Sequence, residues 1–182
     1  YTKWGGCGSK LYLAPLNAAS AQDTRNVVKW IYETLNLDVD FVIPFAATSE
    51  AGKSVDDIDA AISEVSHRMM LTNVLRLIGE IKIQKERRNV LCRPALVVLP
   101  LSPNHGAFGS DGLYVFFFFK FREPYTGKKT RQHNDRYAES KLGLEALMNK
   151  WQSEQWSDFV SIAGAVIGWT RGTGLMLSLI HI

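Results

Sequence analysis

The sequence predicts an α/β fold built on an open parallel sheet. Short apolar runs alternate along the chain with longer segments in which apolar residues recur every three or four positions. The first pattern is typical of buried parallel strands and the second of amphipathic helices, and their alternation favours a parallel sheet with right-handed crossovers. The run 95–101 also ends at the hydroxyl of Ser102, and ligands bind outside the carboxyl ends of strands in such sheets.

The predicted elements follow one another without long gaps in the first half of the chain. The strands cover residues 10–15, 40–44, 95–101 and 159–167. The helices cover residues 21–35, 54–88 and 138–151. The first helix carries Val27, Val28, Ile31 and Leu35 on one stripe. The second is long or broken, with Ser54 as its candidate N-cap and basic residues at its far end, which suits the helix dipole.

Tyr137 and Lys141 lie four residues apart at the start of the last predicted helix, so they share one helical face. An ammonium beside a phenol stabilises the phenolate and can lower a pKa of about 10 by roughly one to three units. Tyr137 is therefore a candidate proton donor to a carbonyl. The alternative is a chance pair on a solvated helix, and the serine at the end of the preceding strand favours the first interpretation.

Five longer motifs carry a resemblance to a known family. They are Pro44–Ala47, His67–Arg76, Leu99–Gly106, Phe108–Leu113 and Gly164–Met176. Together with the order serine, tyrosine, lysine, they resemble the ketoacyl reductase domain of the fungal fatty acid synthase alpha subunit, in the short-chain dehydrogenase/reductase superfamily. The resemblance runs from about Gly8 to Met176 with one interruption. It implies a Rossmann-like sheet and NADPH-dependent reduction of a 3-oxoacyl thioester to the 3-hydroxyacyl form.

The resemblance also assigns roles to individual residues. Tyr137 would protonate the 3-oxo oxygen, Lys141 would hold the nicotinamide ribose and lower the tyrosine pKa, and Ser102 would bind the substrate carbonyl. Asn73 matches the helix asparagine that organises the proton-relay water. A helix-interior amide bonded to backbone is the alternative for Asn73.

Further residues are expected to line the cofactor cleft or to pack near it. The residues expected in the cleft, besides Tyr137 and Lys141, are Phe45, Ala46, Ile167, Gly168 and Thr170. His105 is interpreted as a loop hydrogen-bonding residue and His67 as a helix-packing residue, rather than as acid-base groups. No metal ligand set is expected, because Cys7 and Cys92 lie far apart without a Cys-x-x-Cys or histidine pairing.

Residues 114–136 interrupt the family pattern, in which Gly-Leu is followed at once by Tyr-x-Glu-Ser-Lys. Tyr137 lies 35 residues after Ser102, whereas Tyr114 has the family spacing but Phe118 in place of the lysine. Leu113–Val115 can be encoded with the fungal-type splice donor GTATGT, and Arg136 can supply the acceptor AG. We interpret the segment as a retained intron; the alternatives are a real surface insertion or a basic-aromatic arm for membrane or nucleic acid.

The ends of the chain also depart from the family. Residues 177–182 resemble translated adapter sequence, so the partial domain is assigned to residues 1–176. Dinucleotide-binding folds open with a strand, a glycine-rich turn and a helix, and neither Gly5–Gly8 nor Gly172–Gly174 has that context, so both are expected to be turns. The fold is therefore expected to be truncated, without its first strand, turn and helix, and the chain by itself is expected to be inactive.

Composition restricts the class of protein further. Of 182 residues, 46% are apolar and 21% charged, as in ordinary globular proteins. The net charge of +3 comes from residues 115–136, since the remaining chain holds 15 basic and 16 acidic side chains. A near-neutral body argues against a nucleic-acid partner, and no apolar run approaches the roughly 20 residues that span a bilayer.

The resemblance implies a cytoplasmic multienzyme complex, with an acyl carrier domain bearing a phosphopantetheine-linked chain and other synthase subunits as partners. Two other functions remain open. The chain could be another short-chain dehydrogenase/reductase, or a non-catalytic Rossmann-like interaction domain of a large complex. The second would be favoured if residues 114–136 are present in the mature protein.

Overall fold

Helices and strands alternate along the part of the chain that the computed structural model describes, which is residues 5–47, 59–102, 136–151 and 158–167. The helices are α1 (Ala21–Lys29), α2 (Ala60–His67), α3 (Asn73–Arg87) and α4 (Arg136–Trp151). The strands are β1 (Phe41–Val42), β2 (Ala95–Leu101) and β3 (Val160–Val166). Two π-helical turns complete the elements, Trp30–Thr34 after α1 and Arg68–Thr72 between α2 and α3.

The three strands form one parallel sheet in the order β1-β2-β3. Phe41 pairs with Leu96, and β2 pairs with β3 along its whole length, from Ala95 with Val160 to Leu101 with Val166. The predicted parallel α/β sheet is confirmed. Because all strands run in one direction, their carboxyl ends meet at one edge, and the helices that connect them begin at that edge.

The core lies on one face of the sheet. Side chains alternate between the faces of a strand, and Ala95, Val97, Leu99 and Leu101 of β2 are all buried, whereas Leu96 and Val98 are half-buried. The helices cover the buried face. Their contributions to the same cluster are Val28, Tyr32, Val74, Ile78, Ile81, Leu144 and Trp151.

The helix predicted over 21–35 consists of α1 and the π turn that follows it. Ser20 caps α1 by accepting a hydrogen bond from the backbone N–H of Asp23, as serine does at N-caps. Val28 is buried as expected, and Tyr32 is buried one turn later. The helical period alone did not indicate Tyr32, because its hydroxyl makes burial depend on a partner that only the fold supplies.

The helix predicted over 54–88 is one continuous helix in its described part, with a π-helical turn inside it. The described part begins at α2, whose N-cap is Asp59, accepting from the backbone of Ala61 and Ile62. Ser54, the predicted cap, lies outside the described residues. The π turn Arg68–Thr72 divides the helix, and α3 ends at Arg87, before Asn89 in the left-handed region at φ 53°, a conformation that asparagine tolerates at helix ends.

The strand predicted over residues 10–15 is wrong. These residues form no strand, and within the described chain no neighbouring strand pairs with them. A strand persists only where its backbone groups bond to an adjacent strand, so an apolar pattern alone cannot create one. Leu13 is 86% exposed as a result.

An ion pair between a buried lysine and a half-buried aspartate closes the amino edge of the sheet. The ammonium of Lys85, fully buried, donates to Asp38 Oδ2 and to the carbonyl of Arg93, both at 2.7 Å. The hydroxyl of Tyr32 donates to the other carboxylate oxygen at 2.9 Å. These bonds tie α3 to the residues that enter β1 and β2. Burial raises the pKa of Asp38, but the hydrogen bonds from Lys85 and Tyr32 outweigh it and hold that pKa below its usual range.

Asp38→Asn keeps the side-chain shape but leaves the Lys85 ammonium buried without its counter-charge. We expect the free energy of unfolding at pH 7, measured by urea denaturation, to fall by about 2–4 kcal/mol. The carboxylate contributes stability above its unfolded pKa of 3.8, and this contribution is lost as the pH falls through the lower folded value.

The matched control is Asp40→Asn, which breaks the exposed pair between Asp40 and Arg93 at 2.6 Å. Exposed pairs contribute about 1 kcal/mol or less. Equal losses for the two variants would show that the buried pair is not what holds the amino edge.

Candidate active site

The carboxyl edge of the sheet brings together the residues that follow the strands. Phe45 and Ala46 come after β1, Ser102 comes directly after β2, and Ile167 directly after β3. The backbone N–H of Ile167 donates to the carbonyl of Leu101 at 2.9 Å, which holds the ends of β2 and β3 together. Ser102 is only 6% exposed, whereas Phe45 is 55% exposed. The edge thus carries a buried serine and an exposed aromatic side chain.

Helix α4 begins at the same edge and contains both Tyr137 and Lys141. The backbone places them one turn apart, as the spacing predicted. Lys141 is 3% exposed, while the side chain of Tyr137 lies outside the described part of the chain. The burial of a lysine that carries a full charge in water is unusual in a folded protein.

Burial lowers the pKa of Lys141 from 10.5 to about 8. Desolvation disfavours the ammonium form, and the result is a group that remains about nine-tenths protonated at pH 7 yet loses its proton more easily than a surface lysine. An ammonium in a medium of low dielectric acts strongly on a neighbouring phenol. This is the electrostatic condition that a tyrosine proton donor requires.

Two contacts on either side of Lys141 fix α4 against the π turn Arg68–Thr72. The hydroxyl of Ser140 lies 3.8 Å from the sulfur of Met70. Three residues further on, Gly143 lies so close to Leu71 that an added Cβ would be 3.0 Å from its Cδ2. An alanine there would require the Leu71 side chain to shift by a few tenths of an ångström. The segment that leads into Asn73 therefore packs directly against the helix of Lys141.

Asn73 is buried and its side-chain amide has two protein partners. Its Nδ2 donates to the carbonyl of Ala18 at 2.6 Å, and its Oδ1 accepts from the guanidinium of Arg76. Its backbone N–H donates to the carbonyl of Arg68, which closes the π turn. The sequence left open the alternative that the Asn73 side chain is hydrogen-bonded to backbone, and its bond to Ala18 is of that kind. The relay role of Asn73 stays a prediction.

Some of the other residues predicted for the site lie in the described part of the chain and some lie outside it. His67 is half-buried and its Nδ1 lies 3.0 Å from the carbonyl of Ser63 within its own helix, as expected of a packing residue. His105, Gly168 and Thr170 lie outside the described residues. So do residues 114–135 of the proposed intron and the tail 177–182, while Arg136 is the first residue of α4.

The described glycines do not form a phosphate cradle. Gly8 has φ 82° and follows Gly6 in a tight turn, in which the N–H of Ser9 donates to the carbonyl of Gly6. Residues 9–17 after it are not helical, so the expectation of a turn is confirmed. In the described ranges no group of three histidine, cysteine or acidic residues is placed to hold a metal ion, and no helix is long and apolar enough to cross a membrane.

The contact between Arg76 and Asn73 is not among the sequence-based predictions. The signal was available as an i, i+3 pair on one helix, but an arginine on a helix is most often solvated. The contact between Ser140 and Met70 joins two helices and could not be inferred from local spacing.

The buried ammonium of Lys141 makes a testable contribution to stability. Between pH 8 and 10.5 the unfolded chain binds more protons at this residue than the folded chain, so the free energy of unfolding rises with pH. We expect Lys141→Met to be about 1–3 kcal/mol more stable than the parent chain at pH 7. Urea denaturation should show that this difference in the free energy of unfolding shrinks as the pH rises from 8 to 10.5.

Lys150→Met, which removes a lysine from the exposed side of the same helix, is the control. If the free energies of unfolding of Lys141→Met and of the parent chain differ by the same amount at pH 7 and at pH 10, the ammonium is not desolvated.

Comparison with curated proteins finds fatty acid synthase alpha subunits. The subunit of Penicillium patulum is 49% identical over 179 residues, that of Aspergillus oryzae 51% over 179 residues, and that of Schizosaccharomyces pombe 47% over 179 residues. Each match covers 97% of this chain. The chain spans only 8–9% of the length of these relatives. No protein-family model matches it.

Comparison with solved structures finds short-chain dehydrogenases/reductases. A gluconate 5-dehydrogenase from Burkholderia cenocepacia, in complex with NADP and tartrate, has a TM-score of 0.63 at 12% identity and matches 92% of this chain and 54% of its own. An NADPH-bound carbonyl reductase from chicken fatty liver has a TM-score of 0.58 at 14% identity over 86% of this chain and 57% of its own. At such identities the likeness shows the fold. The chain therefore belongs to the fungal fatty acid synthase alpha subunit family, as a segment with the fold of the short-chain dehydrogenases/reductases.

Proposed function

We propose that this chain is part of the 3-oxoacyl-[acyl-carrier-protein] reductase of a fungal-type fatty acid synthase, which reduces a 3-oxoacyl thioester to the 3-hydroxyacyl form with NADPH. The observation that carries the proposal is the buried Lys141, one helical turn after Tyr137. Their helix begins at the edge of the sheet where Ser102 follows the central strand. The similarity to alpha subunits over 97% of the chain supports it. The chain by itself, in whose described part no glycine-rich turn leads from a strand into a helix, is expected to be inactive.

Tyr137 would act as the general acid. As the substrate carbonyl carbon is reduced, negative charge develops on its oxygen, and the phenol would transfer its proton there. Lys141 would make this transfer easier, because its ammonium stabilises the phenolate that remains. Ser102 would donate a hydrogen bond to the same oxygen and fix its position.

The residues at the carboxyl edge fit a dinucleotide cofactor. When bound, NADPH would supply the hydride. Lys141 would donate hydrogen bonds to the ribose of the nicotinamide, and the exposed ring of Phe45 with Ala46 would contact the cofactor after β1. Ile167, Gly168 and Thr170 would do so after β3. Several solved structures with this fold hold NADP or NADPH, which supports the choice of cofactor.

Asn73 would complete the proton path by organising the water next to Lys141. Its segment packs against the helix of Lys141 through Met70 and Leu71, which supports this role. Its side-chain amide is bonded to Ala18 and Arg76. Within this proposal Asn73 is a positioning residue.

The proposed substrate implies the partners. The acyl chain would arrive on the phosphopantetheine arm of an acyl carrier domain, and the matched relatives are subunits of fatty acid synthases, which favours other synthase subunits as neighbours. We place the assembly in the cytoplasm.

Tyr137→Phe tests the mechanism in the complete alpha subunit, assembled with its upstream segments and without residues 114–136. The variant retains the ring but lacks the proton donor. We expect turnover of a 3-oxoacyl thioester, followed by NADPH oxidation, to fall by about 10²–10⁴-fold while NADPH binding is kept. Lys141→Ala should impair both turnover and binding, because one ammonium serves both.

His105→Ala is the control for the competing acid. If Tyr137→Phe kept near-normal turnover while His105→Ala lost it, the role of general acid would pass from the tyrosine to the histidine. An intact alpha subunit that binds NADPH but reduces no thioester would instead favour a non-catalytic interaction domain.

The proposed reductase also requires that residues 114–136 be absent from the mature protein, because Ser102, Tyr137 and Lys141 then regain the family spacing. We propose that this segment is a retained intron. Sequencing the mature transcript across the codons of residues 113–138 should show Leu113 followed directly by Tyr137. A transcript from translating ribosomes that retains these codons would establish a real insertion.

A further inference from the structure

A cleft of about 640 Å³ opens between the start of α1 and the helix that runs from α2 into α3. Three basic side chains line it, His67, Arg68 and Arg76, together with the hydroxyl of Thr72 and one carboxylate, Glu64. Neither Ser102 nor Lys141 belongs to its lining. The cleft is therefore distinct from the edge that carries Ser102 and Lys141, although Arg76 in its lining contacts Asn73.

The π turn brings the two arginines to one side of the helix. Arg68 and Arg76 are eight residues apart, and in an uninterrupted α-helix their directions would differ by about 80°. The π turn Arg68–Thr72 accommodates one extra residue. The separation then corresponds to seven α-helical steps, and the directions differ by about 20°. Both residues line the same cleft for this reason.

Neither arginine is neutralised by a carboxylate within the described residues. Arg76 donates one hydrogen bond to Asn73 Oδ1, which leaves most of its five N–H donors available. Arg68 is exposed and lies four residues after Glu64, yet the two form no ion pair. By contrast, Arg25 pairs with Glu80 and Arg93 with Asp40.

From this cleft we infer a site for a phosphate ester. Guanidinium groups bind phosphate oxygens through paired, planar hydrogen bonds, and two of them facing one cleft leave a positive charge that a single carboxylate does not balance. The proposed function serves only to name two carriers of such a group: the phosphopantetheine arm of the substrate and the 2′-phosphate of the cofactor. The site itself does not depend on it.

Phosphate titration of the 182-residue chain, followed by NMR, tests the inference. Addition of inorganic phosphate should shift the side-chain signals of Arg76 and of the Asn73 amide that it contacts. The double substitution Arg68→Gln and Arg76→Gln should weaken binding at least about tenfold, and added salt should weaken it in the parent chain. Arg87→Gln removes an exposed arginine from α3 and should leave binding unchanged.

If the double variant does not fold, Arg68→Gln alone serves as the test. Its folding should be unaffected, because no described residue bonds to that guanidinium. Phosphopantetheine against pantetheine, and NADPH against NADH, distinguish the two carriers. Absence of phosphate binding in the parent chain, or equal binding in Arg68→Gln, would overturn the site. If the complete subunit had no reductase activity, the proposed function would be contradicted, whereas the phosphate site would still be judged by these binding results.

Discussion

The parallel pairing of β2 on both sides is the constraint on which the rest of the described structure depends. β2 is bonded to β1 at one end and to β3 along its whole length, and its alternate residues form the centre of the core. Since the strands share one direction, each connecting helix runs back from the carboxyl edge. Because the strands lie side by side in chain order, right-handed crossovers put these helices on one face of the sheet. That topology places Ser102 and the start of α4 at the same edge of the sheet.

Two buried lysines lie in different electrostatic surroundings. At the amino edge the ammonium of Lys85 has a carboxylate and a carbonyl at 2.7 Å, and its charge is balanced where it stabilises the fold. On α4, which starts at the carboxyl edge, burial lowers the pKa of Lys141 to about 8. A lysine held in this condition costs stability, and such groups occur where a reaction uses them. The fold thus places a lysine paired with a carboxylate at the amino edge, and a lysine whose pKa is lowered by burial on the helix of the proposed acid.

The π turn Arg68–Thr72 affects both sides of the long helix. On one side, Met70 and Leu71 contact Ser140 and Gly143 of α4. On the other side, Asn73 bonds to Ala18 and the arginines face the cleft beside α1. A single extra residue in the backbone shifts every later side chain around the axis. Helical periodicity read across residues 60–87 therefore assigns faces correctly only up to the turn.

The sequence by itself determined the sheet class, the positions of β2, β3 and α4, and the spacing of Tyr137 and Lys141, because apolar periodicity and i, i+4 geometry are local properties. It also carried the family resemblance in contiguous motifs. Only the tertiary structure decided that residues 10–15 form no strand, that Asp38 neutralises Lys85, and that Asn73 bonds to Ala18. Each of these depends on a partner distant in sequence, and neither a ladder bond nor a buried counter-charge has a local pattern. The lowered pKa of Lys141 belongs with them, since desolvation is set by everything that packs around a side chain.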